Sequence, residues 1–436
     1  MKRDILEFIE ENDVKFIKLA FSDLFGEQKN ISIIAEEAER AIDDGINFDA
    51  SSVKGFADIE RSDLFLIPDL KTGDILPWRP SMGRVLRFYS NIESVDGKQS
   101  VFDMRTKLSE TVAKFTKLGL VPQIGTECEF YLFKMDESGS PTYTPIDEGT
   151  CFDVAPLDKG ENIRRDICLT LEEMGMHPEN SHHECGYGQN EVDFRYSDAE
   201  KAADNFMTFK SVVKSIANRN GMFASFMPKP IKNKSGNGLH VNISLRRGEE
   251  NIFQSEKAED KAIVESFIAG VMARISEITL FLNSNINSYS RLGTDQAPKY
   301  ISWSHQNRSQ LIRIPATKGK LSRMELRSPD SCLNPYLAFM LILEAGLEGI
   351  ENKTLLAPSV DVNLFEAGSE ITDVLELLPK TLNEAIAKAE ASDFVSKVLP
   401  EEVLAKFVSE KQMAIRKYAQ TADVNDHMYK RYFKKL

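Results

Sequence analysis

The chain has 436 residues, 42% apolar and 28% charged, with a formal net charge of -13 at pH 7. That length exceeds what one compact domain usually holds, so two domains are expected. The acidic balance argues against sequence-independent nucleic-acid binding, which needs clustered Lys and Arg, and without a run of about 18 apolar residues no membrane span is expected.

In chain order, MKRDILEFIEEND predicts an amphipathic helix over residues 3–11; its acids and its lack of an apolar centre argue against a signal peptide. VKFIKLAFSD alternates like a strand, and IAEEAERAIDDG returns to helical spacing. Two further short strands are expected, ending at DLFLIPD and RVLRFYSNI, with Gly73, Asp74, Pro77, Pro80 and the pair Asp96 and Gly97 as punctuation. Residues 1–102 therefore read as a small α+β unit. From Asp103, RTKLSETVAKFTKLG predicts a long helix that opens a second domain over 103–436, with no internal repeat or low-complexity linker. Five cysteines (Cys128, Cys151, Cys168, Cys185 and Cys332) make an odd count without a CxxC pair. Neither a disulfide framework nor a zinc–thiolate site is expected, which fits a reducing cytoplasm.

The second domain carries strands with one polar face. Alternation in GLHVNISL puts His240, Asn242 and Ser244 opposite Leu239, Val241, Ile243 and Leu245. SRMELRS sets Arg323, Glu325 and Arg327 against Met324 and Leu326; Glu127 and Glu129 share a face of GTECEFYLF, and Glu191 and Asp193 share one of NEVDFRY. Any one such strand is as well explained by a solvated face. Four together predict a curved sheet, apolar towards helices and polar towards a cavity.

That cavity would hold Glu127, Glu129, Glu191, His240 and Glu325, with Glu184 from SHHECGYGQNE. Carboxylates so gathered repel and raise one another's pKa, which a cation relieves. Mg2+ or Mn2+ suits oxygen ligands with one histidine, and six ligands suffice for two ions. Arg291, Arg308, Arg313 and Arg327 lie in the same half of the chain, and guanidinium forks bind phosphate or carboxylate. For a single arginine, a structural ion pair is the more common role. There is no Walker loop and no G-x-G-x-x-G, so a nucleotide would be held by metals and arginines. Cys185 stands near His183 in sequence, but proximity in a turn does not make a nucleophile–base pair.

Seven segments, FDASSVKGF, GTECEF, HHECGYGQNE, FMPKPIKNKSGNGLH, NSYSRLGTDQAP, NRSQLIRIP and RMELRSPD, resemble in order and spacing the signatures of type I glutamine synthetases. The resemblance implies an α+β fold, with an N-terminal β-grasp domain followed by a catalytic half-barrel of curved antiparallel sheet with helices. It implies ATP-dependent ligation of ammonia to the γ-carboxylate of glutamate, through γ-glutamyl phosphate, by a homo-oligomer of two stacked hexameric rings. By the same resemblance, Glu129, Glu184 and Glu191 would hold one metal, and Glu127, His240 and Glu325 the other. Arg291 and Arg327 would bind glutamate and the forming phosphate, and Arg308 and Arg313 the ATP phosphates. Gly236 would line the glutamate site, His182 and Ser244 the nucleotide site, and Asp49 and Ser52 would reach a neighbouring subunit's ammonium site.

The chain departs from the family in places. The lid's glutamate before Ala-Pro is Gln296 here, with Asp295 beside it as the nearest carboxylate; Ala50 replaces a glycine, and Asn242 stands where many members have histidine. No tyrosine loop for adenylylation is evident, and Asp58 near an inhibitory arginine position predicts altered glutamine feedback. Two other readings stand beside the first: a γ-glutamyl ligase for a larger amine, and a weakly active homologue that senses glutamine.

Overall fold

Alternation in VKFIKLAFSD becomes β1 (Val14–Ser22), whose Ile17, Leu19 and Phe21 turn inward. The structure, a computed structural model, describes residues 1–79, 81–317 and 321–436; Pro80, one of the expected turn residues, lies outside the described residues. Helix α1 (Lys2–Glu11) precedes β1, and β2 (Gln28–Ile34), α2 (Ala38–Asp44), β3 (Ile46–Asp49), β4 (Asp63–Pro68), β5 (Asp74–Ile75) and β6 (Arg84–Ser94) follow. The strands form a mixed sheet in the order β2-β1-β6-β4-β3, with β5 beside β6. Among the described residues of this sheet only β1 and β6 run parallel, with Ile17 beside Leu86. The sequence pattern missed β2, β3 and β5. QKNISII carries polar residues at both faces of an edge strand, and INFD and DI are too short to show a period.

Helix α3 (Met104–Lys117) begins where Asp103 caps it, the carboxylate accepting from the N–H groups of Arg105 and Thr106, a contact worth about 1 kcal/mol. The second sheet then starts with β7 (Val121–Met135), a long central strand. The remaining strands are β8 (Pro141–Pro145), β9 (Pro178–His183), β10 (Gln189–Phe194), β11 (Ser197–Asp198), β12 (Met222–Ser225), β13 (Leu239–Arg247), β14 (Glu250–Asn251), β15 (Trp303–His305), β16 (Ile312–Ile314) and β17 (Met324–Leu326). The main path is β15-β16-β17-β13-β7-β10-β9, antiparallel except for the β15–β16 pair.

Register brings the polar residues side by side. His240 on β13 faces Glu127 on β7, Asn242 faces Glu325 on β17, and Glu191 on β10 faces Glu129. Leu239 to Leu245 are buried on both faces. The bland reading of a solvated polar face therefore does not apply: one side meets the core and the other a cavity.

Helices cover the apolar side. After α4 (Glu161–Glu173), α5 (Ala199–Arg219) packs on β7 and β12, and α6 (Ala258–Leu282) crosses α7 (Pro335–Asn352). That crossing is close because both helices lack side chains there. A Cβ on Gly270 would meet the Ala345 carbonyl oxygen at 2.3 Å, and one on Gly349 the Ser266 carbonyl oxygen at 2.1 Å. A buried polar seam joins the two sheets. Arg105 forks onto Asp204 at 3.0 and 3.1 Å and reaches Asp69 at 2.8 Å, while Tyr89 donates to the Asp204 carbonyl at 3.0 Å. Short helices α8 (Ser369–Thr372), α9 (Leu382–Glu390) and α10 (Asp393–Val398) lead into α11 (Glu401–Ala419) and α12 (Val424–Met428). Among the described residues no helix is long and apolar enough to cross a membrane.

Candidate active site

The concave face of the second sheet lines a cavity of about 620 Å³. Glu127, Glu129, Glu184, Glu191, His182, His240, Gly236, Arg291, Gln296, Arg308, Arg313 and Arg327 all contribute to its wall. Ser244 lines a smaller adjoining cavity that shares Glu127 and Arg323 with the first. Glu325 lies beneath the wall, fully buried, within reach of Glu127 and His240. Asp49 and Ser52 are the exceptions. They are exposed at the end of β3, where the Asp49 carboxylate accepts from the Ser51 N–H and hydroxyl at 2.9 and 2.6 Å, and neither lines the cavity of its own chain.

Two groups of ligand atoms stand out. Glu127, His240 and Glu325 place one ligand atom each within 4.8 Å of one another, and so do His182, Glu184 and Glu191. The first is the trio expected from the sequence. In the second, His182 stands 3.5 Å from Glu184 and 3.9 Å from Glu191. Glu129 also lines the cavity: one of its oxygens accepts from the Gly238 N–H at 2.7 Å and from Gln189 at 3.2 Å, and the other stands 4.0 Å from His240 Nε2.

The electrostatics differ between the two groups. Burial would raise the Glu127 carboxyl, yet the hydrogen bond from His240 at 3.0 Å and that from Asn242 at 2.9 Å hold it well below the usual carboxylate range. Burial, and then the charges of Asp193, Glu129 and Glu184, push Glu191 well above that range. Burial and Glu129 raise Glu184. The expectation of mutual upward shifts thus holds on the Glu184–Glu191 side, while a histidine reverses it at Glu127. Oxygen donors with a single imidazole in each group fit hard divalent cations, and repelling buried carboxylates are the electrostatic setting such ions relieve.

The arginines divide by role. Arg313 pairs with Glu325 at 2.5 Å, and Arg327 pairs with the same carboxylate from the other side. Arg327 also keeps a buried Nε with no hydrogen-bond partner, a donor to spare for an anion. Arg291 spends its guanidinium on main-chain oxygens: Ser328 at 2.9 Å, Pro329 at 3.2 Å and Arg327 at 3.1 Å. Arg308 is exposed at the rim. Gly236 must be glycine for space, since a Cβ there would meet the Pro228 oxygen at 2.5 Å and Arg291 Cγ at 2.9 Å.

At the rim, Asp295 and Gln296 both have left-handed backbone, with φ of 45° and 69°. The Asp295 carboxylate is held by the nearly buried Lys229 at 2.5 Å. No sequence pattern singles out Lys229. Arg323, which lines both cavities and donates to Asn242 at 2.8 Å, was marked by its alternation with Glu325 yet given no role.

One expectation is overturned: Cys151 and Cys185 are joined as a disulfide across 34 positions. Odd count and spacing could not reveal it, because the pair is made by the docking of β9 beside the segment after β8. His183 is not a base for Cys185; it is buried and bonds the Asp147 carboxylate at 2.9 Å.

A small mixed-sheet domain leads into a curved sheet whose pocket is walled by carboxylates and arginines instead of a phosphate-binding loop. Such a pocket suits anionic substrates handled over divalent cations. The β-grasp domain model of glutamine synthetase matches residues 13–94, and its catalytic domain model residues 102–432. Curated relatives named glutamine synthetase include one from Methanosarcina mazei, 44% identical over 96% of this chain and 94% of the relative, and one from Clostridium saccharobutylicum, 43% identical over 94% of each. A solved chain described as a GmaS/ADP complex superposes with a TM-score of 0.87 at 27% identity, covering 98% of each chain. Plasmodium falciparum glutamine synthetase shares the fold, at TM-score 0.86 and 23% identity over 99% of each chain. The chain belongs to the glutamine synthetase family.

Proposed function

We propose that this chain joins ammonia to the side-chain carboxylate of glutamate at the expense of ATP, in the cavity lined by β7, β10, β13 and β17. The observation that carries the reading is the meeting of Glu127, His240 and Glu325 from three separate strands at one point, beside Arg313 and Arg327. Residues 1–102 and 103–436 act as its two domains.

A carboxylate is a poor acyl donor because its leaving group would be an oxide. The γ-phosphoryl group of ATP passes to a glutamate side-chain oxygen, giving γ-glutamyl phosphate and ADP. Ammonia attacks the carbonyl carbon, the carbon–oxygen bond to phosphate breaks, and glutamine and phosphate leave. Arg327 and Arg313 would meet the charge that develops on the phosphoryl oxygens, and Arg308 at the rim would meet the nucleotide. Gly236 lets its loop lie against Arg291 and line the space for glutamate, and Ser244 and His182 border the space for the nucleoside. Two divalent ions, Mg2+ or Mn2+, held by Glu127, His240 and Glu325 and by Glu129, Glu184 and Glu191, would neutralise phosphate charge. His182 is close enough to Glu184 and Glu191 to join the second set.

Ammonium must shed a proton before it attacks. Asp49 stands outside its own chain's cavity, which supports an assembly in which it serves a neighbouring protomer. Two stacked hexameric rings in the cytoplasm complete the proposal. The rim gives one reason to test other acceptors: Gln296 is neutral, and Asp295 is engaged by Lys229, so a neutral organic amine would meet less discrimination. The test is phosphate release from ATP with Mg2+ and glutamate, against ammonium and a panel of alkylamines. Turnover with ammonium is expected. Turnover with an organic amine alone transfers the assignment to a γ-glutamyl ligase, and none with any amine leaves the glutamine-sensor reading.

A further inference from the structure

The turn that carries Glu184 is covalently tied to another segment. Cys151, between β8 and α4, and Cys185, between β9 and β10, are disulfide-bonded with Cα atoms 4.4 Å apart, and both line the main cavity. Cys185 is exposed and Cys151 half-buried, so small solutes reach them. The Glu184 carboxylate lies against this pair: one oxygen accepts from the Cys185 N–H at 3.0 Å and stands 3.7 Å from Cys151 Sγ. The two segments also hold together without the bond. Phe152 donates its N–H to the His183 oxygen at 3.0 Å, and Asp147 accepts from the Gly188 N–H and from His183, both at 2.9 Å.

We propose that Cys151 and Cys185 are a reversible dithiol–disulfide site that exchanges with low-molecular-weight thiols and disulfides, and that its bonded state holds Glu184 in place for a divalent cation. The inference rests on the reading of Glu184 as a cation ligand. In the exchange, a small disulfide R–S–S–R and the two cysteine thiols give the Cys151–Cys185 bond and two R–SH. One S–S bond breaks, one forms, and the two thiol protons pass to the departing sulfurs. Intracellular disulfides, where they occur, are mostly transient, catalytic or redox-sensing, and an exposed pair is of the labile kind.

The consequence for Glu184 is local. On reduction the sulfurs separate from about 2 Å to about 4 Å, a covalent length giving way to a non-bonded contact. Cys185 is the residue next to Glu184 and donates to its carboxylate, so Glu184 follows. Each new thiol also becomes a donor that competes with a cation for the same oxygens. Asp147 and His183 keep the segments docked, so the fold survives reduction.

The experiment uses the full-length protein poised in oxidised or reduced dithiothreitol. Native labelling with iodoacetamide, read by peptide mass spectrometry, is expected to modify Cys151 and Cys185 only after reduction. Cys128 and Cys332 are buried, with burial pushing both thiols up, and they serve as unreactive controls. Mn2+ titration followed by electron paramagnetic resonance is expected to show roughly tenfold weaker binding of one ion in the reduced protein, the effect of loosening a group that orients a metal ligand. Cys151→Ser and Cys185→Ser should bind Mn2+ like the reduced protein and ignore the redox poise. Labelling of both cysteines in both states overturns the pairing, and that measurement needs no variant. Equal Mn2+ binding in both states overturns the control of Glu184 while leaving the metal reading intact; no Mn2+ binding in either state removes both.

Discussion

Gln296 shows what a single side chain decides at this site. It lines the cavity at a rim position whose backbone is left-handed, and Gln and Glu have the same shape, so the exchange adds charge without new strain. A carboxylate there would attract ammonium and accept its proton. Gln296→Glu is expected to raise kcat/KM for ammonium by roughly a hundredfold, the modest end of what a positioned base contributes, as read by steady-state phosphate release. An unchanged value would mean that the proton leaves by another route. Glu325 is the opposite case, a carboxylate fully buried between Arg313, Arg327 and His240. Its neutralisation would leave two guanidinium groups without their partner.

Among the elements, α11 carries a penalty of its own. Lys411 is buried, with its Nζ 4.7 Å from the centre of the Phe25 ring and 5.0 Å from that of Phe407. Burial, and then the charge of Lys54, push its pKa down to about 7, against the partial opposition of Glu410. An unfolded lysine titrates near 10.4, so between about 7 and 10 the unfolded chain holds a proton that the folded chain lacks. Stability from this group therefore rises with pH across that window, and its cost is fully present below it. Lys411→Met is expected to stabilise the protein by roughly 2–4 kcal/mol at pH 7, with melting curves of variant and parent converging towards pH 10. A constant difference at every pH would show that lost packing, not charge burial, sets the effect. The same helix ties the segment between β3 and β4 to the C-terminal segment, since Glu410 pairs with Lys54 at 2.9 Å and with Arg431 at 3.2 Å.

At the scale of the whole molecule, the position of Asp49 matters most. It belongs to the small sheet, is exposed, and does not line the cavity of its own chain. If it completes a neighbour's site, two inactive variants should rescue each other. Asp49→Ala and Glu325→Gln, co-expressed in equal amounts, are expected to assemble with about a quarter of their sites intact, one half multiplied by one half in a shared interface. Activity well above either parent, measured as glutamine formed per milligram of oligomer, is the expected result. If Asp49 serves its own chain, every site keeps one lesion and the mixture stays inactive.

The residues themselves carried the polar faces of β7, β10, β13 and β17, because strand period is a local property that needs no partner. The family was legible from seven ordered segments that resemble its signatures, and with it the roles of cavity residues outside those strands. What the chain pattern could not carry was anything set by two segments meeting. The pairing of Cys151 with Cys185, the ion pair that occupies Asp295 with Lys229, the hydrogen bond from Gly238 to Glu129 and the approach of His182 to Glu191 all depend on the docking of separate segments. The short strands β3 and β5 likewise exist only because a longer neighbour supplies their hydrogen bonds. Sequence thus determined which chemical groups face the cavity, and tertiary structure decided which of them touch, since contact depends on the three-dimensional path of chain between them.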